Sequence, residues 1–199
     1  DYYASRGLGD VYKRQLPYPI DTSYYDNEKH TQADALSVIS FMDEMNYEGL
    51  SVSGLSDGYY GLTIGGEFIG RFTARELERG INMALLQNTP QYKQAMKIRQ
   101  MNEERWLKER KMREFYWVEY NLMRKTGMLW ACDEAAVDAL RKYRPHDIFL
   151  QWNGDLWLQY MHKGIREDCV NEQQNLVDRI YEQNKPIPLR IEIKKFTDL

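Results

Sequence analysis

Residues 54–58 read "GLSDG" and fit G-x-S-x-G, the turn that presents a serine nucleophile at the top of a parallel sheet. Such an elbow needs a strand before the serine and a helix after it. Here "YYGLTI" follows, an alternating strand, and Ser-Asp-Gly between two alternating strands is turn chemistry. The expectation is a hairpin with Ser56 at its tip, not a nucleophile. The three histidines, His30, His146 and His162, stand alone: none lies in H-E-x-x-H and none is four residues from another. Pro145-His146-Asp147 reads as a helix-entry turn. Gly7 and Gly9, with Lys13 and Arg14 beside them, lack the G-x-x-x-x-G-K-[ST] order and the preceding strand of a phosphate loop. The carboxylates of "MNEERWLKERKMRE" alternate with Lys and Arg, which makes a solvated, ion-paired helix face and not a metal site. No catalytic, cofactor-binding or metal-ligating residue is assigned, and no cofactor is expected.

The aromatic side chains can do other work. Trp130, Tyr143, Trp152, Trp157 and Tyr160 are numerous enough to form a ligand platform, since a ring face stacks on the C–H surface of a sugar. At helical spacing such residues more often build a core or a domain interface. Both readings stay open, with Trp130, Trp152, Trp157 and Tyr160 as platform candidates.

These residues sit on elements that the local pattern predicts. "EGLSVSGL", "YYGLTI" and "EFIGRF" alternate as strands, with Gly65-Gly66 as a two-residue hairpin turn, so a small antiparallel meander is expected. Thr73 to Glu76, "TARE", is a capping box that opens a helix with Leu77, Ile81, Ala84 and Leu85 on one face. Thr89-Pro90 is an N-cap followed by proline at the first helical position. No glycine or proline then interrupts until Gly127, which gives a helix roughly 50 Å long. Met112, Tyr116, Tyr120 and Met123 form one apolar stripe on it, and Trp106, Arg113 and Trp117 mark a neighbouring face. Asp133 caps a further helix ending before Pro145. Another runs from about Arg166 to Gln183, with Val177 and Ile180 inward. The tail "IPLRIEI" alternates as a strand, and Pro188 places it at a sheet edge.

The order is β, then α, then one late strand, without a βαβ rhythm: an α+β fold. The divisions expected are residues 1–15 outside the fold, a β module over 16–72, and a helical region with a terminal strand over 73–199. A helix so long and aromatic on more than one face outreaches so small a sheet. Met112, Phe115, Tyr116, Trp117 and Tyr120 are therefore candidates for docking onto another domain.

Composition sets the limits. In 199 residues, 43% are hydrophobic and 29% charged, enough for a core and a soluble surface. The net charge of −3 argues against a nucleic-acid footprint. No apolar run approaches the roughly 20 residues of a membrane span, and "DYYASRGLGD" has no signal-peptide core. Cys132 and Cys169 form no C-x-x-C; two buried free thiols are expected, with a disulfide as the alternative in an exported protein.

The block "LPYPID", followed by "LSVSGLSDGYYGLTIGGEFIGRFTARELERGINMALLQNTPQYKQA", resembles the region after the catalytic domain in a branch of SGNH hydrolases, the GDSL-type esterases. The shared glycine spacing runs from Leu50 through Thr89-Pro90. The helix "NEERWLKERKMREFYWVEYN" extends the likeness to about residue 125, and more loosely to Phe196. What the resemblance implies is a serine-dependent carboxylic ester hydrolase acting on an acylated carbohydrate, secreted or periplasmic, with this chain as its C-terminal accessory part. The catalytic domain would be its partner in cis. The family's GDS serine, oxyanion donors and D-x-x-H would all precede Leu16, so no residue here inherits a catalytic role. A non-catalytic carbohydrate-binding or scaffolding module is the alternative. The eleven residues Ser5 to Gln15, "SRGLGDVYKRQ", back-translate in one frame to a sequence resembling a transposon-end library adapter. They are expected to be foreign to the gene and to have no place in its fold.

Overall fold

The computed structural model describes residues 10–11, 16–20 and 31–196. Apart from Asp10–Val11, the adapter-like run lies outside the described residues, as does His30. The chain divides into two compact units, residues 1–99 with 183–199, and residues 100–182. The sequence boundary at 72/73 follows the change of element type. The structural boundary falls later, because the first helices after the sheet bury their apolar residues against it.

The first unit is built on one hairpin. Strand β3, Tyr59–Ile64, returns as β4, Glu67–Thr73, with a register shift at Leu62/Thr63. The turn places Gly65 and Gly66 at φ 59° and 85°, a left-handed pair that only glycines adopt without cost. The late strand β6, Leu189–Lys195, lies antiparallel along the other side of β3, Ile64 opposite Ile191 and Tyr60 opposite Lys195. Against the expectation that residues 1–15 have no place in the fold and that the late strand is an edge, Asp10–Val11 form a two-residue strand β1 that pairs with Leu189 and Arg190 on the outer side of β6, giving the order β1-β6-β3-β4. Alternation along β3 turns Tyr60, Leu62 and Ile64 inward, with Leu62 and Ile64 essentially inaccessible. Ile69, Met83 and the partly buried Leu189, Ile191 and Ile193 complete this core. Pro188 precedes β6 instead of lying in it, and Ile187 is exposed.

The expected three-strand meander is corrected in one respect. Strand β2, Gly49–Leu50, pairs with β5, Ile81–Asn82, as a separate ladder and not with β3. Asn82 organises this corner: its Oδ1 accepts from Glu48 N and Ala84 N, and its Nδ2 donates to the Met42 carbonyl of α1, Phe41–Glu44. Residues 54–58 are consequently a turn between strands that do not pair, not a hairpin tip. The capping box holds, with Thr73 Oγ1 accepting from Glu76 N at 3.1 Å and Thr73 N donating to Glu76 Oε2 at 2.7 Å. Helix α2, Ala74–Arg79, nevertheless stops at Gly80, φ 92°, so Ile81 enters β5 and Leu85 is exposed. The helical face drawn through Leu77, Ile81, Ala84 and Leu85 is thus broken by one glycine.

Helix α3, Pro90–Val118, starts where Thr89 and Pro90 predict, with Thr89 Oγ1 accepting from Tyr92 N. It widens into a π turn at Glu119–Met123, and Gly127, φ 76°, follows. Three helices complete the second unit. They are α4, Glu134–Tyr143, capped by Asp133; α5, Ile148–Tyr160, capped by Asp147 at Phe149 N and Leu150 N; and α6, Lys163–Gln183. Among the described residues no helix is long and apolar enough to cross a membrane.

Candidate functional site

The "GLSDG" serine sits at an exposed turn. Ser56 Oγ receives a hydrogen bond from the exposed Lys195 ammonium at 2.9 Å and lies 3.2 Å from the Tyr60 hydroxyl. Tyr60 in turn donates to the Ser56 carbonyl at 2.9 Å. A strand, not a helix, follows it, so no helix N-terminus faces the hydroxyl as an elbow requires. His146 lies in the turn Arg144–His146 and His162 between α5 and α6, both exposed. Among the described residues no cluster of His, Cys, Asp or Glu could hold a metal ion. Cys132 and Cys169 are both free; Cys169 is buried, but Cys132 is exposed because it lies in the loop before α4.

The chemistry of the second unit is aromatic, and it is organised by one buried carboxyl group. In a regular helix Glu119 would follow Phe115 by one turn. Counted from Phe115, Val118, Glu119, Leu122 and Met123 fall at the i+3, i+4, i+7 and i+8 positions of one helical face; each is buried, and the π turn spans the last three of these. Glu119 is fully inaccessible. Its Oε1 accepts from the indole Nε1 of Trp157 at 2.7 Å, and its Oε2 accepts from the backbone N–H of Trp130 at 2.8 Å. A buried polar group is tolerated only when its hydrogen bonds are made, and both oxygens here make one. Around it pack Met112, Phe115 and Val118 of α3, Leu140 of α4, Leu150 and Tyr160 of α5, and Cys169 of α6.

This core corrects the expected stripe. Met112 and Phe115 are covered by the unit's own later helices, whereas Tyr116 and Tyr120 point outward at 39% and 49% exposure, and Trp117 is half-buried. Of the platform candidates, Trp157 is fully buried and Tyr160 nearly so, both as core. Burial pushes the Tyr160 hydroxyl up, with Cys169 adding to the shift and Lys108 opposing it. Trp130, Tyr143 and Trp152 remain exposed.

Two separate aromatic faces result. On the first, Trp130 stacks at 6.3 Å on Phe115 and meets Tyr116 and Tyr120 edge-on at 5.9 and 6.1 Å. Trp130 adopts φ 64°, a left-handed conformation costly for a bulky residue. The Glu119 bond to its N–H helps to hold it there. A groove of about 750 Å³ opens beside these rings, lined by Met112, Tyr116 and Trp130 and by the first turns of α6. Arg166 anchors that α6 wall: its guanidinium lies 4.8 Å over the Phe115 ring and donates to the Tyr160 and Met161 carbonyls. Lys108, raised by its hydrogen bond to Glu172, ties α6 to α3, and the same bond holds the Glu172 carboxyl below its ordinary range. The second face lies at the start of α5, where Phe149 packs on Trp117 at 5.2 Å and on Trp152 at 5.5 Å. Ile148, Phe149 and Trp152 are each about half exposed or more.

Sequence reasoning missed Glu119, although it is the one charged residue between Phe115 and Met123, a signal that it faces a core. It also missed Ile148 and Phe149, and the polar wall of α6.

A comparison with curated proteins gives no match. Among solved structures the chain is similar to BT4096, a gut microbial diltiazem-metabolizing enzyme, at 34% identity and a TM-score of 0.86 over 96% of this chain. The chain spans 45% of that enzyme's length. Residues 96–185, which contain the whole of the helical unit, match the family described as the diltiazem deacetylase C-terminal helical domain.

Proposed function

We propose that the chain is the C-terminal accessory part of an ester hydrolase whose serine-dependent SGNH catalytic domain precedes it in the same polypeptide. The observation that carries this is the match to a solved enzyme over nearly all of this chain but under half of the enzyme. A deacetylase family model over the helical unit points to the same reaction class. In the whole protein a serine attacks the ester carbonyl, a histidine takes its proton, and fixed donors hold the oxyanion. The substrate is an acylated carbohydrate and the enzyme is secreted or periplasmic; both follow from the SGNH resemblance.

The second aromatic face, Trp117, Ile148, Phe149 and Trp152, is the docking surface for the catalytic domain. More than half of the solved enzyme's length lies outside the matched region, and an exposed apolar cluster of this kind ordinarily marks an interaction site. Of the five docking candidates only Trp117 belongs to it.

The test is to clone the reading frame upstream of Leu16 from genomic DNA and compare the joined protein with this chain in p-nitrophenyl acetate hydrolysis. The joined protein should turn over, and replacing the serine of its GDS motif by alanine should abolish turnover. The present chain should stay at background. An upstream frame without a GDS motif overturns the proposal, and so does activity in this chain that Ser56→Ala removes.

A further inference from the structure

We propose that the groove beside Trp130 is a subsite for a neutral pyranose ring of the carbohydrate to which the ester is attached. The inference rests on the functional reading above, and three observations within the helical unit carry it.

The groove offers two chemically different sides. One is apolar: the Trp130 indole and the Tyr116 ring, set edge-on to each other at 87°, with Met112 also lining the groove. The other is mainly polar: Lys163, Glu167, Asp168 and Asn171 of α6, with Val170 among them. A pyranose has the same two characters, an apolar C–H face and a rim of hydroxyls that donate and accept. An apolar ligand would strip water from the polar wall and return no hydrogen bonds.

The wall's charges balance. Lys163 and Arg166 offset Glu167 and Asp168, and Lys163 already pairs with Glu167 at 3.2 Å. Arg166 is engaged by two backbone carbonyls and a ring. No net field favours an anionic ligand. Asp168 and Asn171, three residues apart on one face of α6, make no side-chain hydrogen bond among the described residues. A carboxylate and an amide so placed can accept from and donate to adjacent hydroxyls, and charge-assisted bonds of this kind are the stronger ones.

Finally, Trp130 is held where it costs backbone energy. Its left-handed φ of 64° and its bond to the buried Glu119 fix an indole that remains 44% exposed. Strain retained at an exposed aromatic beside a groove points to use.

Titration of the full chain with cellohexaose, xylohexaose and mannohexaose, followed by tryptophan fluorescence and calorimetry, tests the proposal. At least one should bind saturably and more tightly than hexagalacturonate or ethyl benzoate. Gly164 lines the groove and a Cβ there would meet nothing within 4 Å, so Gly164→Tyr should be accepted by the backbone and crowd the groove with its ring. It should weaken binding by about tenfold or more, the equivalent of roughly 1.4 kcal/mol. Trp130→Gly, which relieves the left-handed strain, and the pair Asp168→Asn with Asn171→Ala should do the same, whereas Trp152→Ala on the other face should not. No saturable response to any neutral hexaose overturns the proposal. So does tighter binding of the uronate or the benzoate, or neutral-sugar binding that Gly164→Tyr and Trp130→Gly leave intact. If the joined enzyme still hydrolyses p-nitrophenyl acetate while these arms fail, the subsite is refuted and the esterase reading stands.

Discussion

Glu119→Leu is the perturbation that most directly tests how the helical unit is organised. The substitution removes both acceptors of the carboxyl group and leaves two donors. The Trp157 indole N–H is in a fully buried side chain with no water to replace its partner. An orphaned buried donor costs about 1–3 kcal/mol. The Trp130 N–H belongs to a half-exposed residue, so water takes part of the load and its loss costs about 1 kcal/mol or less. Leucine returns some of this by placing an apolar side chain where a polar one was buried. The net loss should be about 2–3 kcal/mol, or roughly 5–10 °C in Tm for a chain of this size. All five tryptophans, Trp106, Trp117, Trp130, Trp152 and Trp157, lie in residues 100–182, so urea unfolding followed by tryptophan fluorescence reports on this unit alone. Adding Trp157→Phe removes the stranded indole donor, so the double variant should be less destabilised than the sum of the two single ones. A Glu119→Leu protein as stable as the parent, or strict additivity in the double variant, would refute the reasoning.

Two further outcomes are expected. Arg144 donates to both carboxyl oxygens of Asp155 at 2.6 and 2.7 Å and holds that carboxyl below its ordinary value. A carboxyl lowered in the folded state contributes stability that is present above its unfolded pKa and lost as pH falls through the folded one. Arg144→Met should therefore destabilise near neutral pH, with the difference from the parent narrowing in acid to what the Arg144 bond to the Gln151 carbonyl contributes; a difference independent of pH in denaturant titrations would contradict the assignment. A thiol reagent should label Cys132 in the native chain and reach Cys169 only in denaturant, which mass spectrometry of the labelled peptides reads directly.

The features legible in the sequence are those that one turn of chain decides. The capping box at Thr73, the left-handed glycine pair at Gly65-Gly66, the Thr89-Pro90 start and the Asp133 cap each depend on neighbours within four residues, and the structure keeps all four. The α+β order was legible for the same reason. The pairing of β2 with β5 was not, because it joins residues about 30 apart and depends on Asn82 reaching Glu48 and Met42. Nor was the early end of α2, where a good apolar period ran on past Gly80.

The long helix shows where periodicity stops being informative. Its apolar residues cover more than one face, so a count of spacings finds several stripes and cannot rank them. One stripe steps by four through Met112, Tyr116 and Tyr120, yet the core is built on Met112, Phe115, Val118, Leu122 and Met123. Two physical facts select it. The buried positions from Phe115 to Met123 recur at three and four residues on one helical face, and a polar group among them can be buried only if the partner helices bring donors to it. Trp157 and the Trp130 backbone do so. Once Glu119 is committed inward, Tyr116 and Tyr120 are left on the surface beside Trp130. Trp117 is left beside Phe149. One buried carboxyl group thus sorts a multiply aromatic helix into a core and two exposed faces. The face with a polar wall is suited to a sugar, and the face without one is suited to another protein surface.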